Sequence, residues 1–242
     1  MTNIITNEKT PLKFTVLRNN QEKTIKFNLD TKDNIIKTGL FVKDKITGIG
    51  TLSYIDPSTK IFASLGHEIL ESNTMTKFEI KDGKIYQANV SSIKKSEIGS
   101  AGEKNASFNK DNVYGNIKKN ESTGIYGTYL NDLDNKETIK IAKKDEVTTG
   151  IATLKTVIKD DLVEEFKINI IKIDDNHKTK NILFEITDNK LLENCGGIVQ
   201  GMSGSPIIQN NKLVGAVNYV LVNEPTKGYG IFIETMLEEG EK

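Results

Sequence analysis

Three features of this 242-residue sequence predict an all-β chain of barrel or sandwich architecture. Short runs alternate apolar and polar residues with a period of two, the pattern of a half-buried strand. The links between them carry turn chemistry: Asp56-Pro57-Ser58, Lys81-Asp82-Gly83, Asn210-Asn211-Lys212 and Asn223-Glu224-Pro225. Helical periodicity is scarce, so strands packed on strands must bury the core.

The elements follow in order. Lys13–Leu17 and Thr24–Leu29 flank the turn-like Arg18-Asn19-Asn20-Gln21 and predict a β-hairpin. Further strands are expected at Gly39–Val42, Gly50–Tyr54, Lys60–Ser64, Lys77–Ile80 and Ile85–Val90. Lys94–Asn120, rich in Ser, Gly, Asn and Lys, is expected to be a long loop region between two halves. Beyond it, strands are expected at Ile151–Val157, Glu165–Ile173, Asn181–Ile186, Gly197–Val199, Pro206–Gln209, Leu213–Val222 and Tyr229–Ile233. One short helix is predicted at Asn189–Cys195, with Asp188 as its N-cap and Gly196 as its stop. A second is expected near Glu234–Glu239.

Composition narrows the function. Lys+Arg and Asp+Glu both number 33, so no net field draws the chain to nucleic acid or an anionic membrane. Arg18 is the lone arginine among many lysines, which argues further against reading base edges. A single cysteine, Cys195, excludes an internal disulfide and a multi-cysteine zinc site. With only His67 and His177, a histidine-rich metal centre is not expected. No apolar run is long enough to span a bilayer, and the opening MTNIITNEKTPLKF lacks the apolar core of a signal peptide. Taken alone, the chain reads as cytoplasmic.

Chemistry concentrates in Gly201-Met202-Ser203-Gly204-Ser205-Pro206. A nucleophilic serine needs its hydroxyl on a sharp turn beside free backbone N–H groups, and glycines at 201 and 204 permit that turn. The segment resembles the Gly-Asp-Ser-Gly-Gly-Pro signature of trypsin-like peptidases, with Met202 and Ser205 as departures. That resemblance implies Ser203 as nucleophile and the N–H groups of Gly201 and Ser203 as the oxyanion hole. The bland alternative is a Gly-Ser turn without chemistry. His67 lies at a strand end in Ala63-Ser64-Leu65-Gly66-His67-Glu68-Ile69, 136 residues before Ser203. That separation is expected when base and nucleophile come from successive barrels of a trypsin-like fold. His177, in the polar run Asp174–Lys178, reads as a solvated hairpin tip. Val214–Tyr219 and Lys227–Ile231 resemble the two strands that wall the specificity pocket of trypsin-like enzymes. Ala216, Val217 and Asn218 would then pair with an extended substrate, and Gly228 and Gly230 would leave room for its side chain. An ordinary core hairpin is the other reading. Cys195, in Asn194-Cys195-Gly196-Gly197, reads as a small buried hydrophobe at a helix end.

Taken together, Gly48–Leu52, Ile55-Asp56-Pro57, Leu65-Gly66-His67, Gly196–Asn210, Val214–Val217 and Gly228-Tyr229-Gly230 resemble the SpoIVB sporulation peptidases, over roughly residues 38–237. The resemblance implies a serine endopeptidase with a trypsin-like double β-barrel, exported to the space between forespore and mother cell. It would cleave itself and a membrane-associated regulatory protein there, triggering late sporulation signalling, with no metal or organic cofactor implied. It assigns the triad acid to Asp188 in Phe184-Glu185-Ile186-Thr187-Asp188. The same residue is the natural helix cap, and Asp82 and Asp111 lie upstream, where trypsin-like enzymes usually place this acid. The expected division is an N-terminal hairpin at 1–35, read as a PDZ remnant, and a peptidase domain at 36–242. Its first barrel would span about 36–115 and its second about 120–238. A catalytically silent peptide-binding β-barrel module is the competing reading.

Overall fold

The computed structural model describes residues 12–18, 21–27, 30–32, 35–37, 45–71, 75–134 and 136–242. The chain divides into two units, Met1–Thr47 and Gly48–Lys242. In the first, β1 (Leu12–Arg18) pairs antiparallel with β2 (Gln21–Phe27), the hairpin that the alternation predicts. A small ladder of β3 (Asp30–Lys32) and β4 (Ile35–Lys37) follows. The expected strand at Gly39–Val42 lies outside the described residues.

The second unit is built on two sheets. One closes into a barrel: β16 (Lys212–Val220), β15 (Pro206–Gln209), β11 (Gly150–Val157), β12 (Val163–Ile173), β13 (Ile182–Ile186) and β17 (Lys227–Phe232), with β17 pairing back onto β16. Alternate residues of β11, β12 and β13 are buried, as a barrel interior demands. Leu154, Phe184 and Ile207 are fully buried inside it. The two-residue β10 (Lys140–Ile141) adds parallel to β16 at the rim.

The other sheet is curled and runs β14 (Val199–Gln200), β8 (Gly102–Glu121), β9 (Gly124–Tyr129), β6 (Ile61–Ser64), β5 (Leu52–Ile55), with β7 (Gly83–Lys94) also on β8. β14 immediately precedes the Ser203 turn and pairs parallel with the start of β8, Val199 opposite Gly102. The nucleophile turn is therefore stitched to one sheet on its N-terminal side and enters the closed barrel through β15 on the other.

Three expectations need correction. Lys94–Asn120 is not a loop: β8 occupies most of it as a 20-residue strand. Its middle is exposed on both faces, so it lacks the apolar alternation that marks a strand, and it is held by its ladder to β7. With β9, which the expectation also lacked, the first sheet runs on to Tyr129 rather than ending near residue 115. Lys77–Ile80 forms only an isolated bridge from Lys77 to Leu70, in a loop beyond the end of β6.

Both helices lie where expected. α1 (Asn189–Cys195) begins at Asp188, whose side chain accepts from the Leu191 N–H, and stops at Gly196, which is left-handed at φ +67°. α2 (Ile233–Gly240) follows β17 and buries Ile233 and Met236.

Candidate active site

The Gly201-Met202-Ser203-Gly204 turn links β14 to β15. Its conformation requires glycine: φ is +96° at Gly201 and +89° at Gly204. A Cβ at Gly204 would stand 2.0 Å from the Thr51 carbonyl and 2.5 Å from the Leu65 nitrogen. Two backbone bonds close the turn, from the Met202 N–H to the Val199 carbonyl (3.1 Å) and from the Ser205 N–H to the Met202 carbonyl (2.9 Å). Met202 is fully buried while Ser203 is half-buried, so the turn sinks the apolar side chain and lifts the hydroxyl. Among the described residues, nothing in the protein accepts from the Ser203 N–H, which suits an oxyanion donor.

Thr51 brings the histidine loop to this turn. Its N–H donates to the Ser203 carbonyl (2.8 Å), and its carbonyl accepts from the Leu65 N–H (3.3 Å) and the Ser64 hydroxyl (2.8 Å). The Val217 carbonyl accepts from the Gly204 N–H at 2.7 Å and lies 3.2 Å from the space a Gly66 Cβ would fill. Segments 64–66 and 203–204 thus share the same two backbone partners.

Leu65 and Gly66 are both left-handed, at φ +71° and +70°, and Leu65 takes that conformation without glycine's freedom. Strain of this kind gathers at functional turns and is held only by surrounding structure. Here the far side of the loop is clamped by Asn120, which accepts from the Ile69 N–H and donates to the Ile69 and Phe78 carbonyls.

The His67 ring contacts the Glu68 carbonyl through Nδ1 at 2.8 Å. A carbonyl only accepts, so Nδ1 carries a proton, and in the neutral ring the lone pair is then on Nε2, the tautomer a general base needs. The ring stacks on Tyr219, with centroids 5.8 Å apart and planes at 29°. No hydrogen bond joins His67 Nε2 to Ser203 Oγ among the described residues; in enzymes without substrate this bond is often long.

The Asp188 carboxylate has two backbone partners. Oδ1 accepts from the Leu191 N–H and Oδ2 from the Lys167 N–H, both at 3.2 Å, so the carboxylate caps α1 and ties it to β12. Gly66 packs at Val217 and Ile231, and the ladder row of Val217 continues through Gly230 to Ile182, six residues before Asp188. Thr51 links the His67 loop to the Ser203 turn, and among the described residues no hydrogen bond joins the Asp188 carboxylate to His67 or Ser203. The upstream rivals Asp82 and Asp111 are both exposed.

The expected substrate contacts are also revised. Ala216 and Val217 are buried, and Val217 engages both backbone groups, its N–H with Ser205 and its carbonyl with Gly204. Neither leaves an edge for an added strand. β16 bulges between Val217 and Tyr219 and becomes exposed at Tyr219, so the accessible stretch lies one or two residues later. Asn218 is buried: its amide donates to the Thr179 carbonyl, and among the described residues its Oδ1 has no partner. The space beside Gly228 and Gly230 is not a pocket. Ile198 Cδ1 fills the first (2.2 Å from a Cβ there) and Ile207 Cδ1 the second (2.7 Å).

Cys195 is fully buried, and burial pushes its thiol up to about 11, which makes it an inert hydrophobe. His177 accepts through Nδ1 from the Thr179 and Lys180 N–H groups and is part of a turn. Thr51 and Tyr219 fall inside segments that carry a family resemblance, but neither their roles nor that of Asn120 can be read from the sequence. Their roles depend on partners tens to over a hundred residues away, which no local pattern signals.

The sequence matches none of the curated proteins. A family model described as SpoIVB peptidase S55 matches residues 34–237, which include both sheets, the His67 loop and the Ser203 turn. The chain therefore belongs to the SpoIVB peptidase family and is a serine peptidase.

Proposed function

We propose that this serine peptidase cleaves itself and a membrane-associated regulatory protein, in the space between forespore and mother cell, as a trigger of late sporulation signalling. The family membership supports this reading. Among the described residues no helix is long and apolar enough to cross a membrane.

In the proposed mechanism His67 Nε2 takes the Ser203 hydroxyl proton as Oγ attacks the scissile carbonyl carbon. The N–H groups of Gly201 and Ser203 receive the developing oxyanion. Collapse of the tetrahedral intermediate breaks the C–N bond, and His67 returns its proton to the leaving amine. Water, deprotonated by His67, then releases the acyl group and restores Ser203. The Glu68 carbonyl keeps the imidazole in the required tautomer, and Tyr219 supports its face. The carrying observation is the double attachment of Thr51, to the Ser203 carbonyl and to the Leu65 N–H.

Self-cleavage is tested with the purified chain. Wild type should convert in time to defined fragments by mass spectrometry, while Ser203→Ala stays intact until trace wild type is added. A wild-type chain that stays intact, or a Ser203→Ala chain that cleaves alone, would contradict the reading.

A further inference from the structure

A lysine is buried beneath the nucleophile turn, and the mechanism above does not use it. Lys104 on β8 is 6% exposed. Its stem lies against Gly201, with Cδ 3.1 Å and Cβ 3.3 Å from where a Gly201 Cβ would stand. No carboxylate meets its ammonium among the described ion pairs; its partner is the Thr156 hydroxyl of β11, at 2.9 Å. Leaving an ammonium so buried is costly unless it is used.

Beyond Thr156 the polar contacts continue. The Ser205 hydroxyl is 3.0 Å from Thr156 Oγ1 and 3.3 Å from Thr51 Oγ1, and the Thr51 hydroxyl donates to the Gly201 carbonyl at 2.9 Å. Thr156 and Ser205 are as buried as the barrel core, at 1% and 0% exposure. Each hydroxyl owns one proton, and an ammonium can only donate. Thr156 Oγ1 accepts from Lys104 and from the Ser205 hydroxyl. The Ser205 hydroxyl also lies within reach of Thr51, whose own hydroxyl donates to the Gly201 carbonyl. The ammonium and the three hydroxyls form one connected network, and such bonds strengthen one another in a dry interior.

We propose that Lys104 is a positioning residue for the peptidase reaction: through Thr156, Ser205 and Thr51 its ammonium fixes the Gly201 carbonyl, and with it the turn that presents Ser203 and its oxyanion donors. The inference rests on the reading of Ser203 as nucleophile. Met202 replaces the aspartate of the trypsin-like signature, so the turn has no carboxylate of its own to anchor it, and a buried cation reaches it from below.

The proton on Lys104 is then part of the device. Burial lowers its pKa to about 8, and the Cys195 thiol of α1 is the titratable group that acts on it. Opposite it on β7 stands the apolar Ile93, and β14 and the Gly201 turn bring no charge. Loss of the proton removes the charge-assisted bond to Thr156 that anchors this network, and activity should fall as pH rises through this range.

The test uses a fluorophosphonate probe on the full chain. In labelling, Ser203 Oγ bonds to phosphorus, fluoride leaves, the hydroxyl proton passes to His67, and the phosphoryl oxygen occupies the oxyanion site. Lys104→Met keeps the length and removes the charge, Lys104→Arg keeps the charge, and Thr156→Val cuts the relay. Lys104→Met and Thr156→Val should each lower the maximal inactivation rate at least tenfold with probe affinity unchanged, and the double variant should lose no more than either. Lys104→Arg should recover part of the rate. The wild-type rate should decline above about pH 8, and the Lys104→Met rate should be flat there. A folded Lys104→Met that labels at the wild-type rate across this range overturns the proposal; if it fails to fold, an unchanged rate in Thr156→Val does so. Ser203→Ala separates the two failures: continued labelling there would sink the nucleophile reading itself, whereas a silent Ser203→Ala beside a fully active Lys104→Met would sink only the relay.

Discussion

The Thr51 N–H donates to the Ser203 carbonyl at 2.8 Å, joining the curled sheet to the turn that leads into the closed barrel. The chain separates these residues by 152 positions. The contact depends on Gly204, because any larger residue there would drive into the Thr51 carbonyl.

Gly204→Ala should therefore be costly. A methyl group would meet the Thr51 oxygen at 2.0 Å in a backbone held at φ +89°. The conformational strain alone is about 1–3 kcal/mol. The variant should melt lower than wild type and label poorly even where it remains folded. A wild-type melt with full labelling would show that the turn relaxes freely.

Asp188 can be assigned by two substitutions. As the cap of α1 it accepts from Leu191 and Lys167, and Asn caps about as well as Asp. Asp188→Asn should keep wild-type activity, and Asp188→Ala should lose about 0.5–2 kcal/mol of stability. If Asp188 instead orients His67, Asp188→Asn should fold normally and lose on the order of 10⁴ in kcat. Activity and melts of the two variants decide between the roles.

Lys104 also gives stability a pH dependence of known sign. Its folded pKa, about 8, lies below its ordinary 10.5, so above pH 8 the folded chain binds fewer protons than the unfolded one. Stability then rises with pH from about 8 towards 10.5 as far as this group is concerned. Cys195 acts in the opposite sense above its ordinary 9, because its folded pKa is raised to about 11. The clearest window is therefore pH 8 to 9. Denaturant titrations there should show wild type gaining stability relative to Lys104→Met, and parallel curves would contradict the burial of the charge.

How much of this was legible in the sequence depends on where the signal lies. β11 and β13 alternate cleanly because one face of each fills the barrel, and they were placed to within a residue or two. Asp188 and Gly196 marked both ends of α1 because caps are local chemistry. β8 was hidden because its pairing with β7 depends on backbone bonds rather than on an apolar face. At the site, the glycines around Ser203 and the small residues before His67 advertised sharp turns. Thr51 and Lys104 gave no such sign. One is a threonine before a strand and the other a lysine among many, and each acquires its role from a contact across the fold.

The most direct test of the account is to map the fluorophosphonate adduct by peptide mass spectrometry on the native wild-type chain. The phosphonyl mass should sit on Ser203, vanish in Ser203→Ala, and form far more slowly in His67→Ala. An adduct on another residue, or none on a folded wild-type chain, would contradict Ser203 as the nucleophile.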